Sequence, residues 1–196
     1  MKRAFDVVTA LAGLVLLAPL FAALAIVVKA GSAGPVLFHA PRVGRDGRAF
    51  RAHKFRTMAA DAAGPAITAA GDPRVTRSGR LLRRTRLDEL PQLWNVLVGE
   101  MSLVGPRPED PRFVDAGDAA WRRILAARPG LTGPTQLAFA GREESIVGTD
   151  DPERAYRERV LPAKLASDLA YVEGRSFGGD LTLLLRTALR LAGRAA

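Results

Sequence analysis

Residues 85–109, TRLDELPQLWNVLVGEMSLVGPRPE, place two adjacent carboxylates, Asp88 and Glu89, ahead of a short apolar run, and one arginine, Arg107, between two prolines. An ionised carboxylate buried without a partner costs several kcal/mol, so neighbouring acids belong in solvent or in a site. Pro91 fits a helix only in its first turn, where no N–H partner is needed. This predicts a short helix with Asp88 at or near its N-cap, where the helix dipole would lower the pKa of the carboxyl. Leu90, Leu93, Trp94 and Leu97 then form its buried stripe. Residues 102–109 read as a short strand and a stiff loop, because the prolines limit where Arg107 can point. Acids and arginine together suggest a metal-and-phosphate site; the alternative is two solvated acids beside a rigid surface loop.

Further toward the N-terminus, Val7–Val28 carries no charged side chain over 22 residues. As a helix this would reach roughly 33 Å, enough for a bilayer core. Lys2 and Arg3 precede it, Lys29 follows it, and Pro19 interrupts it near the middle. A cleaved signal peptide usually has a shorter apolar core. A spanning helix and a re-entrant one both fit the length. Basic residues on both flanks prefer the cytoplasmic side, and Pro19 permits a turn, which suits re-entry.

The chain has 196 residues, 48% hydrophobic, with a net charge of +9 and no cysteine. Disulfides and thiolate metal sites are excluded, and His39 and His53 are too few for a histidine-rich zinc site. A bound metal would be a hard cation held by carboxylates. The charge attracts anions, but the basic residues are scattered and no zinc-finger spacing or aromatic RNA-binding signature occurs. Lipid headgroups and nucleotide phosphates fit that surface better than nucleic acid.

Asp46-Gly47 between two extended runs in residues 36–56 predicts a β-hairpin, with Lys54 and Arg56 on one face of its second strand. Residues 59–75 read as a helical piece and a loop. In RSGRLLRRTR, residues 77–86, Leu81 and Leu82 are expected to face inward and the arginines outward. Residues 112–128 read as a helix, 130–142 as a glycine-rich loop, and 152–173 as a helix broken or kinked at Pro162, with Asp168 beside a stripe of Leu161, Leu165, Leu169 and Val172. Asp180–Arg194 reads as an amphipathic helix with Arg186, Arg190 and Arg194 opposite a leucine face, suited to anionic lipid.

The ordered blocks KR-x-x-D, GPVLFHAPRVGRDGRAFRAHKFRTM, GRLLRRTRLDELPQLWNVLVGEMSLVGPRPE and PGLTG resemble the bacterial sugar transferases, the monotopic phosphoglycosyl transferases of surface-glycan assembly, over nearly the whole chain. The resemblance implies transfer of a sugar 1-phosphate from a UDP-sugar to polyprenyl (undecaprenyl) phosphate, with release of UMP. It implies Mg²⁺ as cofactor and the cytoplasmic face of the bacterial inner membrane as location. Asp88 matches the aspartate that becomes phosphorylated by the sugar phosphate, with Glu89 binding or orienting the metal beside it. Lys54, Arg83 and Arg107 match phosphate-holding positions, Arg142 matches more loosely, and Asp168 matches a supporting helical acid. The expected fold is α+β: a re-entrant membrane helix over residues 1–30, then a catalytic domain over 31–196 with a small β-hairpin and several short helices, some interfacial. This would be a minimal catalytic form. Ala18-Pro19 stands where the family commonly has Ser-Pro, and GPTQLAFAGREE differs from the family's Trp-Ala-Gln version, which bears on sugar choice. The contrasting reading is a non-catalytic basic scaffold or binding protein tethered to the membrane.

Overall fold

A computed structural model describes residues 1–139 and 150–195. Among these residues the protein is α+β, with helices of varied length and two sheets of two strands each. The N-terminal apolar run forms α1 (Lys2–Leu16) and α2 (Ala18–Gly31), bent by 62° at the intervening Leu17. Pro19 lies in the first turn of α2, where its missing N–H breaks no bond within that helix. Among the described residues, no single helix is long and apolar enough to cross a membrane. The bent pair meets that test only when both halves are taken together.

Both ends of the pair are tied to the rest of the protein. Lys2 donates to the Val104 carbonyl at 3.0 Å and pairs with Asp180. Arg3 donates to the Val96 and Leu97 carbonyls at 2.6 and 2.8 Å. These lie at the open end of the helix Gln92–Val98. Buried Asp6 accepts from Ser102 Oγ at 2.9 Å and from the Leu103 N–H at 3.1 Å. At the other end, Arg56 donates to the Ser32 and Ala33 carbonyls beyond α2. The outward side chains of the pair stay apolar: Val8, Leu11, Val15, Leu16 and Ile26 are all exposed.

The predicted hairpin is present. Strands β1 (Leu37–Val43) and β2 (Ala49–Phe55) run antiparallel, with Leu37 opposite Phe55 and Val43 opposite Ala49. Asp46 and Gly47 take φ of 57° and 75° at the turn. Two adjacent positive φ values suit the twist of a tight hairpin, and Asp-Gly supplies them at low strain. A second sheet pairs β3 (Ser102–Val104) and β4 (Gly130–Thr132) in parallel. Their approach depends on glycine: a Cβ on Gly130 would lie 2.1 Å from the Gly105 nitrogen. Ala10, Phe50, Leu93, Val96, Met101 and Leu103 form one core joining α1, the hairpin and β3. Phe113, Trp121, Tyr156 and Val160 form another.

Several sequence expectations need correction. Residues 59–75 contain no helix, because Gly64-Pro65 and Gly71-Asp72-Pro73 interrupt the alanine-rich run. The helix expected over 112–128 shrinks to α5 (Ala119–Leu125), started by Asp118, whose side chain accepts from the Ala120 and Trp121 N–H groups. The start of the expected glycine-rich loop is instead β4 followed by α6 (Pro134–Phe139). The helix over 152–173 is interrupted before Pro162, as expected: α7 (Pro152–Ala155) passes through a wider turn at Tyr156–Val160 into α8 (Leu161–Gly174), with the proline in the first turn of α8. Its buried side chains are Leu161, Lys164 and Asp168 rather than the leucine stripe alone. The last helix, α9 (Phe177–Ala195), packs Leu183 and Leu184 against the core and exposes Leu181, Leu185 and Leu189 beside Arg186 and Arg190. The leucines therefore occupy two faces, and the arginines flank the outer one.

Candidate active site

The two acids sit where three elements meet. Helix α3 (Arg77–Thr85) begins with Thr76, whose hydroxyl accepts from the Gly79 N–H at 2.9 Å, and ends at Arg86. A single 3₁₀ turn, Leu87–Glu89, then carries both carboxylates, and α4 (Gln92–Val98) starts only after Pro91. Asp88 is therefore not the cap of α4, which corrects the expectation from sequence. It is not solvated either: Asp88 and Glu89 are each 7% exposed. Burial dominates the charge of Asp88, and with the neighbouring Glu89 anion it raises the carboxyl from 3.8 to about 6; Lys54, Arg86 and Arg83 oppose that rise. The sequence predicts a dipole-lowered pKa, and the structure shows the opposite.

Glu89 has a different environment. Lys54 Nζ, from β2, donates to its Oε1 at 2.8 Å, and Arg107 Nη2 donates to the same oxygen at 2.7 Å. Burial alone would raise this carboxyl, but Arg107 and Lys54 hold it well below the usual range. Lys54 is itself pushed down by burial, with Glu89 opposing. Two adjacent acids of one turn thus differ in kind. Glu89 is held ionised by paired cations, while Asp88 Oδ1 is buried with no hydrogen-bond partner among the described residues.

The loop after β3 holds Arg107 rigidly. The Gly105 N–H donates to the Thr132 carbonyl at 3.0 Å, and Gly130 N–H to the Pro106 carbonyl at 2.8 Å. The Arg107 N–H donates to Asp168 Oδ2 at 3.2 Å, and Thr135 Oγ1 donates to the other oxygen of Asp168. Glu109 is paired with Lys164 at 2.8 Å. Asp168 therefore supports the backbone of Arg107 rather than facing Asp88. Its burial raises it to about 6, despite the bonds from Thr135 and Arg107.

Lys54, Arg107, Asp88 and Glu89 are thus brought together, with Asp168 behind them. Arg83 lies near enough to favour the Asp88 anion, and its Nε donates to Thr57 Oγ1 at 2.9 Å. Arg142 lies outside the described residues. Arg56, expected on the face of Lys54, turns instead to close the end of α2. The sequence reading missed Arg86, whose Nη1 lies 3.8 Å from Glu89 Oε1. It also missed Asn95, fully buried, which accepts from the His53 N–H and donates to the Arg51 carbonyl. Asn95 fixes β2, and so Lys54, against the helix that follows the acids. Trp94, expected inside, is 52% exposed, because α4 turns Asn95 and Val96 toward the hairpin instead.

A family model described as bacterial sugar transferase matches residues 1–194. An exopolysaccharide production protein, PSS, of Rhizobium leguminosarum bv. phaseoli is 40% identical, covering 96% of this chain and 94% of that protein. The UDP-glucose:undecaprenyl-phosphate glucose-1-phosphate transferase of Caulobacter vibrioides is 41% identical over 95% of this chain and 67% of its own length. A UDP-N-acetylgalactosamine-undecaprenyl-phosphate N-acetylgalactosaminephosphotransferase of Aeromonas hydrophila is 37% identical, but the chain spans only 42% of it. The chain belongs to the bacterial sugar transferase family.

Proposed function

We propose that this protein transfers a sugar 1-phosphate from a UDP-sugar to a polyprenyl phosphate such as undecaprenyl phosphate, and that Asp88 carries the sugar phosphate between them. The observation that supports this most is the buried, unpartnered Oδ1 of Asp88, with Lys54, Arg86 and Arg83 near enough to favour its anion. Scaffolding gives no reason to keep such an oxygen, whereas a nucleophile needs a lone pair that no donor occupies. In the first step an Asp88 oxygen attacks the sugar-bearing phosphorus. The bond from that phosphorus to UMP breaks, and UMP leaves with the electron pair. In the second step a phosphate oxygen of the lipid attacks the same phosphorus. The acyl phosphate bond breaks, and Asp88 is restored as a carboxylate. No proton has to be removed from the nucleophile, because at pH 7 a carboxyl of pKa about 6 is mostly ionised. The cations neutralise the incoming diphosphate by their charge, Lys54 and Arg107 from their places on Glu89.

Among the described residues no three acids or histidines gather into a cage. The carboxylates of Asp88 and Glu89, adjacent on one turn, suit Mg²⁺, which is commonly held by one or two carboxylates with waters and substrate phosphates. Asp88 and Glu89 would hold it, Glu89 by yielding part of its contact with Lys54 or Arg107. When bound, the ion supplies positive charge against the developing charge on phosphate and leaving group.

The bent apolar pair is proposed to enter and leave the cytoplasmic leaflet of the inner membrane on one side. Support comes from the contacts of Lys2, Arg3 and Asp6 with residues 96–104, and of Arg56 with the far end of the pair, which tie both ends to one body. The exposed leucines and arginines of α9 suit an anionic lipid surface beside it.

UMP release over a panel of UDP-sugars, with undecaprenyl phosphate in detergent, tests the reaction. Release with at least one sugar, lost in excess EDTA and restored by Mg²⁺, is the expected result. No release with any sugar would overturn the reaction, and full rate in EDTA would remove the metal.

A further inference from the structure

We propose that Arg86 is a further substrate-phosphate ligand of this site, the cation that gives up least at Glu89 when it turns to an incoming phosphate oxyanion. The inference rests on the reaction proposed above and adds a residue to it. Among the described residues three cations lie within 4 Å of Glu89 Oε1, and they are not equivalent. Lys54 and Arg107 stand at 2.8 and 2.7 Å with side chains 18% and 21% exposed. Arg86 stands at 3.8 Å and is 32% exposed. That distance is too long for a hydrogen bond, so Arg86 gives Glu89 charge but no fixed contact. Moving it away leaves Glu89 fully paired; moving either of the others does not.

Backbone geometry points the same way. Only Asp46 and Arg86 hold positive φ without being glycine among the described residues. Asp46 is at home in an Asp-Gly turn. Arg86, at φ 62° and ψ 13°, joins the end of α3 to the turn of the two acids: its N–H donates to the Arg83 carbonyl, and its own carbonyl accepts from the Glu89 N–H. A left-handed residue closing a helix is usually glycine or asparagine, since other side chains crowd the backbone there. The fold alone would be served better by glycine, so the side chain at this strained position is explained by what it meets. Across from it lie the buried acids, already satisfied or already in use. The chemistry left for a half-exposed guanidinium at their rim is an oxyanion arriving from outside, and a substrate phosphate is the one this reaction brings.

The donor diphosphate and the acceptor lipid phosphate share that chemistry, so the test has an arm for each. Arg86→Gly, Arg86→Asn and Arg86→Lys are compared with wild type by thermal melting and by the KM values for the UDP-sugar and for undecaprenyl phosphate. Glycine and asparagine accept the left-handed backbone, so these two variants are expected to melt at or above wild type. The KM for one substrate is expected to rise about tenfold or more in both, with kcat changed less, and Arg86→Lys to recover part of the loss. A rise for the UDP-sugar alone assigns Arg86 to the donor, and a rise for the lipid alone to the acceptor. Both KM values within twofold of wild type, while wild type turns over normally, would overturn the inference and leave the reaction standing. Loss of cooperative melting in both Arg86→Gly and Arg86→Asn would also overturn it, by making the residue structural. No turnover by wild type with any UDP-sugar would overturn the reaction and this inference together.

Discussion

Asp88→Asn is expected to lower UMP release by about a thousandfold or more while leaving the protein at least as stable as wild type at pH 7. The amide keeps the shape of the side chain but is a poor nucleophile toward phosphorus. Stability should follow pH in a defined sense. The carboxyl is raised from 3.8 to about 6 in the folded protein, so between those values the folded state keeps a proton that the unfolded chain has released. Wild-type stability therefore falls as pH rises through this window, then levels above it. The amide of the variant does not titrate. The melting advantage of the variant should grow from pH 4 to pH 6 and stay constant beyond, by an amount on the order of 1–3 kcal/mol in metal-free protein. Melting curves at pH 4, 5, 6 and 7, run beside the release assay, check both halves. A variant that retains substantial turnover would remove Asp88 as the nucleophile.

Glu89→Ala should act in the opposite manner, through the fold as well as the reaction. It leaves Lys54 and Arg107 facing each other without their shared anion. Removing one partner of a buried ion pair typically costs about 3–5 kcal/mol, because the remaining charge stays desolvated. The cost should be partly relieved by Lys54, whose ammonium burial already pushes down and which can shed its proton. Glu89→Gln keeps an acceptor oxygen for Lys54 or Arg107 and should lose less stability, though the paired anion is gone. Denaturant unfolding of the three proteins in the same detergent measures this order. A midpoint for Glu89→Ala equal to that of wild type would mean that the cluster contributes nothing to the fold.

The contrast between these neighbours marks what the sequence could convey. Local chemistry was legible: Asp46-Gly47 marked the hairpin, Pro19 marked the break between two apolar helices, and the spacing of residues 85–109 gathered the site's acids and Arg107 into one stretch. The environment of each acid was not, because it comes from residues far along the chain. Lys54 reaches Glu89 from a strand 35 positions earlier, and that strand is held by Asn95. A period count treats Asn95 as polar and outward, yet it is fully buried because its amide bridges α4 to the hairpin backbone. The same bridging turned Trp94 outward. The parallel pair of β3 and β4 is three residues per strand, too short for alternation to register, and depends on the backbone contact of Gly105 with Gly130. In the sequence Arg86 is one more outward arginine of residues 77–86, and only its left-handed backbone sets it apart.

The most direct measurement follows the sugar phosphate itself. Protein is mixed with a UDP-sugar carrying ³²P in its sugar-linked phosphate, with Mg²⁺ and no lipid acceptor, then quenched and mapped by proteolysis and mass spectrometry. The expected result is a burst of UMP approaching one per protein and a labelled, base-labile phosphosugar on the peptide containing Asp88. The label should be discharged by later addition of undecaprenyl phosphate and be absent from Asp88→Asn. UMP release that waits for the lipid, with no label on the protein at any time, would mean direct transfer between the substrates and would contradict a covalent role for Asp88.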